Sequence, residues 1–251
     1  MYIPINNLQV YYQKLGKGPD LILLHGWKND VSTWWGVADR LKEHFTLWLI
    51  DLPGFGRSDT PKEGYSNLDY AKSINEFIAK LKIRKPTVLG HSVGGRVGIK
   101  LSANFPEKVG KLILEDAAGV KPKQDALKPL IYAGAKMVKL LLPNWWGVKE
   151  RMRRQFYGAI GSDYLSAGEM RSTLTKLLNE DLTPELARIE AETLIIWGES
   201  DAVSASSVEM GQLMYRQIKE ARIEVIDGVG HFPHLESPER FVYWVENFLI
   251  G

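Results

Sequence analysis

Short apolar runs without polar alternation recur along this chain, and each ends in turn-forming residues. Leu21 to Leu24 runs into His25-Gly26, Phe45 to Ile50 into Asp51-Leu52-Pro53-Gly54, and Leu194 to Trp197 into Gly198. Pro86 to Leu89, Leu112 to Leu114 and Ile223 to Ile226 repeat the pattern. A strand with one face in water alternates apolar and polar residues; a strand covered on both faces does not. These runs therefore predict buried strands of a parallel sheet. Leu8 to Leu15, mixed in β-branched and aromatic residues and closed by Gly16-Lys17-Gly18-Pro19, predicts a further strand. Helix-like stretches lie between them at Trp34 to Glu43, Leu68 to Leu81, Val93 to Asn104 and Ser206 to Ile218. A last helix is expected to begin at Ser237-Pro238, with Ser237 as its cap. Strand, loop and helix in regular order imply a doubly wound α/β fold.

From about Gly119 to about Glu190 the rhythm stops. No strand is evident there, amphipathic stretches such as Leu127 to Leu142 follow one another, and basic residues are in excess. Such a length is too great for one crossover connection. The expectation is a core domain of residues 1–118 and 191–251 with a helical cap, residues 119–190, inserted between two core strands. Trp145-Trp146 within it could form the cap's core or line an apolar substrate pocket.

The 251 residues carry a net charge of +2, which argues for neither nucleic acid nor a strongly acidic partner, and no nucleic acid is expected. With no cysteine, disulfides, thiolate metal sites and cysteine catalysis are excluded. No apolar run approaches the length needed to cross a bilayer, and the N-terminal residues lack the pattern of a secretory leader. No membrane association and a cytoplasmic setting are expected. The sequence is silent on oligomeric state.

Gly90-His91-Ser92-Val93-Gly94 follows a predicted strand and opens a predicted helix. In that context the spacing describes a nucleophile elbow, a tight turn that projects the Ser92 hydroxyl from the sheet edge. Glycines two residues to either side are needed because side chains there would strike neighbouring backbone. A serine hydroxyl needs a base to become a nucleophile at neutral pH. Of the five histidines, His231 in the glycine-rich loop Gly228-Val229-Gly230-His231 is favoured, and His234 is its rival. His25 belongs to an early turn, His44 to a helix end at the surface, and His91 should point away from the nucleophile. Asp201, after the strand ending at Trp197, suits the carboxylate that orients the imidazole, with Asp116 and Glu199 as alternatives. The chain order Ser92, Asp201, His231 is that of the elbow-bearing hydrolases. Backbone N–H groups of Val93 and Trp27 are placed to stabilise an oxyanion. No histidine or carboxylate cluster has convincing metal spacing, and Gly54-Phe55-Gly56 lacks the spacing of a nucleotide loop.

The motifs together resemble the α/β-hydrolase superfamily over nearly the full chain. His25-Gly26, the run Asp51-Leu52-Pro53-Gly54-Phe55-Gly56-Arg57-Ser58, the elbow Gly90 to Gly95, the run Trp197 to Asp201, and Gly230-His231 match its recurring motifs in order. The resemblance implies hydrolysis of a small-molecule ester or related substrate, without a cofactor and without metal. Haloalkane dehalogenases and epoxide hydrolases of this fold use an aspartate nucleophile, against which Ser92 argues. Within the superfamily, a carboxylic-ester or lactone hydrolase is the leading expectation. A carbon–carbon bond hydrolase of the ring-cleavage-product type is the alternative, although such enzymes usually carry Asn where His91 stands. A cofactor-free perhydrolase or haloperoxidase is compatible with Trp27, and a ligand receptor on a hydrolase scaffold is the non-enzymatic reading.

Overall fold

The computed structural model describes residues 1–120, 167–201 and 207–251. Eight strands form one sheet: β1 (Tyr2–Ile5), β2 (Leu8–Leu15), β3 (Asp20–Leu24), β4 (Thr46–Ile50), β5 (Thr87–His91), β6 (Lys111–Glu115), β7 (Glu192–Gly198) and β8 (Ala221–Ile226). Their order is β1-β2-β4-β3-β5-β6-β7-β8. β1 and β2 pair antiparallel, as do β2 and β4; every other neighbouring pair is parallel.

The apolar runs arise because both faces of the sheet are covered. Leu21 and Leu23 of β3, with Leu47 and Leu49 of β4, face one helical layer, α1 (Trp35–Leu41) and α8 (Pro238–Ile250). Ile22, Leu24, Trp48 and Ile50 face the other, α2 (Asn67–Lys80), α3 (Val93–Asn104) and α6 (Val208–Gln217). Successive residues of a strand thus enter opposite cores. Two further helices, α4 (Arg171–Asn179) and α5 (Thr183–Leu186), precede β7, and α7 (Pro233–Glu236) precedes α8.

Two local readings need correction. β8, expected to be a buried strand from Ile223 to Ile226, is an edge strand in which only Ile226 is buried and Val225 is exposed, since it has a neighbour on one side only. β1 is the other edge strand: Pro4, lacking an N–H, is tolerated there because one side of the strand is unpaired. Ser237 precedes α8 as expected, but its side chain caps nothing; its Oγ accepts from Arg240 Nε at 2.7 Å. The side-chain cap with a full capping box belongs to α2, where Ser66 and Asp69 satisfy each other's backbone N–H groups.

Between β6 and β7, the described residues 167–190 contain only helical turns and loop. The stretch Leu127 to Leu142 and the pair Trp145-Trp146 lie outside the described residues. The end of this connection is fastened to the core by buried charge. Arg96 of α3 donates through Nε to Asn67 Oδ1 at 3.1 Å, and through Nη2 to the carbonyls of Leu177 and, at 2.7 Å, Glu180. Lys100, one turn on, bonds Glu180 at 2.6 Å and Glu185 at 2.5 Å. Desolvation brings Arg96 down to about 10, partly offset by Glu180 and Asp181, so it stays charged at neutral pH. Arg96→Ala would leave the buried Leu177 carbonyl, the partly buried Glu180 carbonyl and the Asn67 amide oxygen without that donor. Urea unfolding of this variant is expected to show a loss of about 3 kcal/mol.

Candidate active site

All six parallel strands point their C-terminal ends to one edge of the sheet, the edge where ligands bind in open α/β sheets. At the end of β5 the chain turns sharply into α3. Ser92 stands at the turn with φ 50° and ψ −107°, a conformation costly for a residue with a side chain. Its neighbours enforce that turn. A Cβ on Gly94 would sit 2.0 Å from the Leu24 carbonyl oxygen, and one on Gly90 2.3 Å from the Gly94 oxygen. The Ser92 N–H is satisfied by the Glu115 carbonyl at 3.0 Å, while its own carbonyl accepts from Arg96 and Ala118, both at 3.2 Å. The strained residue is thereby bonded to β6 and to its own helix. Val93 is the first residue of α3, so its N–H has no intrahelical acceptor.

His231 lies in the loop after β8, and its Nδ1 is 2.9 Å from Asp201 Oδ2, in the loop after β7. The Asp201 carboxylate is shielded from solvent and the His231 ring nearly so. His91, adjacent to Ser92 in sequence, holds this loop: its Nε2 donates to the His231 carbonyl at 2.8 Å, and its ring packs 4.9 Å from both the His231 and Phe232 rings. Desolvation, then the neighbouring His234 and His231, hold His91 well below the usual histidine range, so it is a neutral donor through Nε2. Its buried Nδ1 has no partner and faces the space a Gly26 side chain would fill, 2.8 Å from an added Cβ.

The other histidines and carboxylates are engaged elsewhere. His234 is fully buried; its backbone N–H and Nδ1 both bond Glu115 Oε1, at 2.8 and 2.7 Å, and Nε2 meets Thr33 Oγ1 at 2.8 Å. Its ring stacks on Trp34 at 4.4 Å. His25 bonds the Gly26 carbonyl at 2.8 Å through Nδ1 and accepts the Leu52 N–H through Nε2 at 3.0 Å, tying the ends of β3 and β4 together. Burial lowers its pKa and keeps it neutral. His44 is exposed. Glu199 accepts the Gly228 N–H at 3.1 Å and braces the loop that carries His231. Asp51 accepts the N–H groups of Val31, at 2.7 Å, and Arg57, at 2.8 Å, so the run from Asp51 to Ser58 is a structural corner. Gly56 is needed there, since a Cβ would meet Asp51 Oδ2 at 2.2 Å. Trp27 packs edge-on against Phe55 at 4.9 Å, and its buried indole Nε1 has no partner.

Asp116, Asp201 and His231 bring one ligand-type atom each to within 4.8 Å of one another. His231 Nδ1 is already engaged by Asp201, and no metal is assigned to the set. The parts missing from the sequence reading are the supporting ones, namely His91 as a clamp on the His231 loop and Glu115 as the partner of His234.

Residues 21–242 match the model of the alpha/beta hydrolase family, and the chain belongs to that family. It is 25% identical to a pimeloyl-[acyl-carrier protein] methyl ester esterase of Nitrosospira multiformis, over 97% of this chain and 99% of that protein. It is 26% identical to a 2-hydroxy-6-oxononadienedioate/2-hydroxy-6-oxononatrienedioate hydrolase of Escherichia coli, over 96% of this chain and 91% of the other. Among solved structures, an esterase from Exiguobacterium antarcticum superposes with a TM-score of 0.78 at 25% identity, covering 100% of this chain and 99% of that one. The protein is a hydrolase with esterase-type relatives. Among the described residues no helix is long and apolar enough to cross a membrane.

The elbow packing makes a stability prediction with an internal control. Gly94→Ala must push its Cβ into the Leu24 backbone and is expected to cost about 3 kcal/mol or more. Gly36→Ala, on the exposed side of α1 with nothing within 4 Å, is expected to stabilise by about 0.5 to 1 kcal/mol. Thermal unfolding of the two variants checks both signs.

Proposed function

We propose that this protein hydrolyses small, fairly apolar carboxylic esters, lactones included, through an acyl-enzyme on Ser92. The observation that carries the reading is the His231–Asp201 pair, 2.9 Å apart, in a loop bonded to His91, the residue that precedes a serine held in an elbow turn. In this mechanism His231 Nε2 takes the Ser92 proton as Oγ attacks the ester carbonyl. Asp201 holds the imidazole with Nδ1 protonated and stabilises the imidazolium that forms. The N–H groups of Val93 and Trp27 receive the negative charge of the tetrahedral intermediate. His231 then gives its proton to the departing alcohol. In the second half it activates water to release the acid. No cofactor enters these steps.

Residues 119–190 are proposed to close over Ser92 as a lid and to supply the acyl pocket. This connection leaves the end of β6 beside Ser92, whose carbonyl accepts the Ala118 N–H, and its other end is pinned by Arg96 and Lys100 of the helix that Ser92 opens. Small apolar substrates need concave apolar walls that a sheet edge alone does not offer. Trp145 and Trp146 are assigned to that wall. The second reading, a carbon–carbon bond hydrolase, is supported by the Escherichia coli relative.

One set of rate measurements tests the proposal, using aryl esters of increasing acyl length, a lactone and a chromogenic ring-cleavage product. Esters are expected to be the better substrates. Ser92→Ala is expected to lose roughly 10⁴- to 10⁶-fold in rate, and Asp201→Asn roughly 10³- to 10⁴-fold. Trp145→Ala and Trp146→Ala are expected to move the acyl-length optimum while leaving the shortest ester little affected. A ring-cleavage product turned over faster than every ester would favour the second reading; a folded Ser92→Ala protein with most of its activity would refute both.

A further inference from the structure

Asp116 is a buried acid that the steps above leave idle. It follows β6 at φ 38°, has no exposed surface, and lies with its two carboxyl oxygens 3.1 and 3.3 Å from the Gly198 N–H. One of its oxygens, one of Asp201's and a nitrogen of His231 all fall within 4.8 Å of one another. The charges acting on Asp116 are those of Glu115, its neighbour on the strand, and of Asp201 across β7, and both are negative. His231, bonded to Asp201, is the third titratable group facing it. Two ionised carboxylates this close in a water-poor interior repel strongly. A single proton between them replaces the repulsion with a short, charge-assisted hydrogen bond.

Building on the triad reading above, we infer that Asp116 is a carboxylic acid at neutral pH that donates a hydrogen bond to Asp201. The orienting element behind His231 is then a carboxyl–carboxylate pair with one negative charge. Desolvation, followed by the charge of Glu115, pushes Asp116 up to about 10, with the Gly198 N–H opposing. The Asp201 carboxylate is thus gripped from two sides, by the His231 ring and by Asp116, and Asp116 acts as a positioning residue. A second consequence is thermodynamic. The folded chain keeps the Asp116 proton through a pH range in which the unfolded chain has lost it. Stability from this group is therefore full below the usual aspartate pKa and declines as pH rises toward 10.

The pair is tested by infrared difference spectroscopy of the wild type against Asp116→Asn at neutral pH. Asparagine can donate the same hydrogen bond but cannot titrate. The wild type is expected to show the carbonyl band of a protonated carboxylic acid that Asp116→Asn lacks. In thermal unfolding, the Tm of Asp116→Asn is expected to gain on the wild type as pH goes from 5 to 9. With a short aryl ester, kcat of Asp116→Asn should exceed that of Asp116→Ala by on the order of tenfold, the loss that follows removal of one hydrogen bond to a charged group. If Asp116→Ala does not fold, the spectrum and the Tm series decide. A wild type without the band, or a Tm gap independent of pH, overturns the pair. Ser92→Ala should keep the band, which separates the two claims. Turnover surviving in Ser92→Ala with the band present refutes the Ser92 triad reading alone; an inactive Ser92→Ala without the band refutes the carboxyl pair alone.

Discussion

Ser92 is held in a backbone conformation that a residue with a side chain avoids, and the fold around it is arranged so that it has no alternative. The turn is compressed between the end of β3, where Leu24 leaves no room for a Cβ at Gly94, and the end of β6, whose Glu115 carbonyl takes the Ser92 N–H. That compression requires parallel neighbours on both sides of β5 in register, with β3 to one side and β6 to the other. The sheet order and the two helical layers can be understood as the support for this one strained residue. Because strain is stored where the rest of the structure over-determines it, the proposed mechanism needs no rearrangement of this turn at the moment of reaction.

Around that turn, buried histidines serve as structural clamps. His25 ties β3 to β4, His91 ties the elbow to the His231 loop, and His234 is locked between Glu115 and Thr33. For His25 and His91, burial disfavours the cation, so each works as one donor and one acceptor at fixed positions. His231 is the one of this buried cluster whose Nδ1 faces Asp201. On the acidic side, Glu115 at the end of β6 and Asp116 after it are both fully buried.

The fold was legible because burial on both faces leaves a direct mark on sequence: β3 through β7 are continuous apolar runs since successive residues enter different cores. β1 was not legible, because an edge strand containing Pro4 has neither that mark nor a clear alternation. The elbow could be read from glycine spacing, since the steric demand is local. His91 as a clamp and Glu115 as the partner of His234 could not. Their contacts span 140 and 119 positions in the chain, and nothing local at either end records them. The relation of Asp116 to Asp201 was hidden for the same reason. Both residues follow strands in similar surroundings, and only the pairing of β6 with β7 brings them together. Ser237 misled because a serine before proline satisfies the local pattern of a cap while its hydroxyl is taken by Arg240.

The central claim is that Ser92 Oγ forms a covalent acyl intermediate. It is tested most directly by intact-protein and peptide mass spectrometry after rapid acid quenching of the enzyme during turnover of a short aryl ester. The account predicts a mass increase of one acyl group, located on the peptide that contains Ser92 and missing in Ser92→Ala. Turnover of the ester with no acyl adduct, or an adduct on another residue that persists in Ser92→Ala, would contradict it.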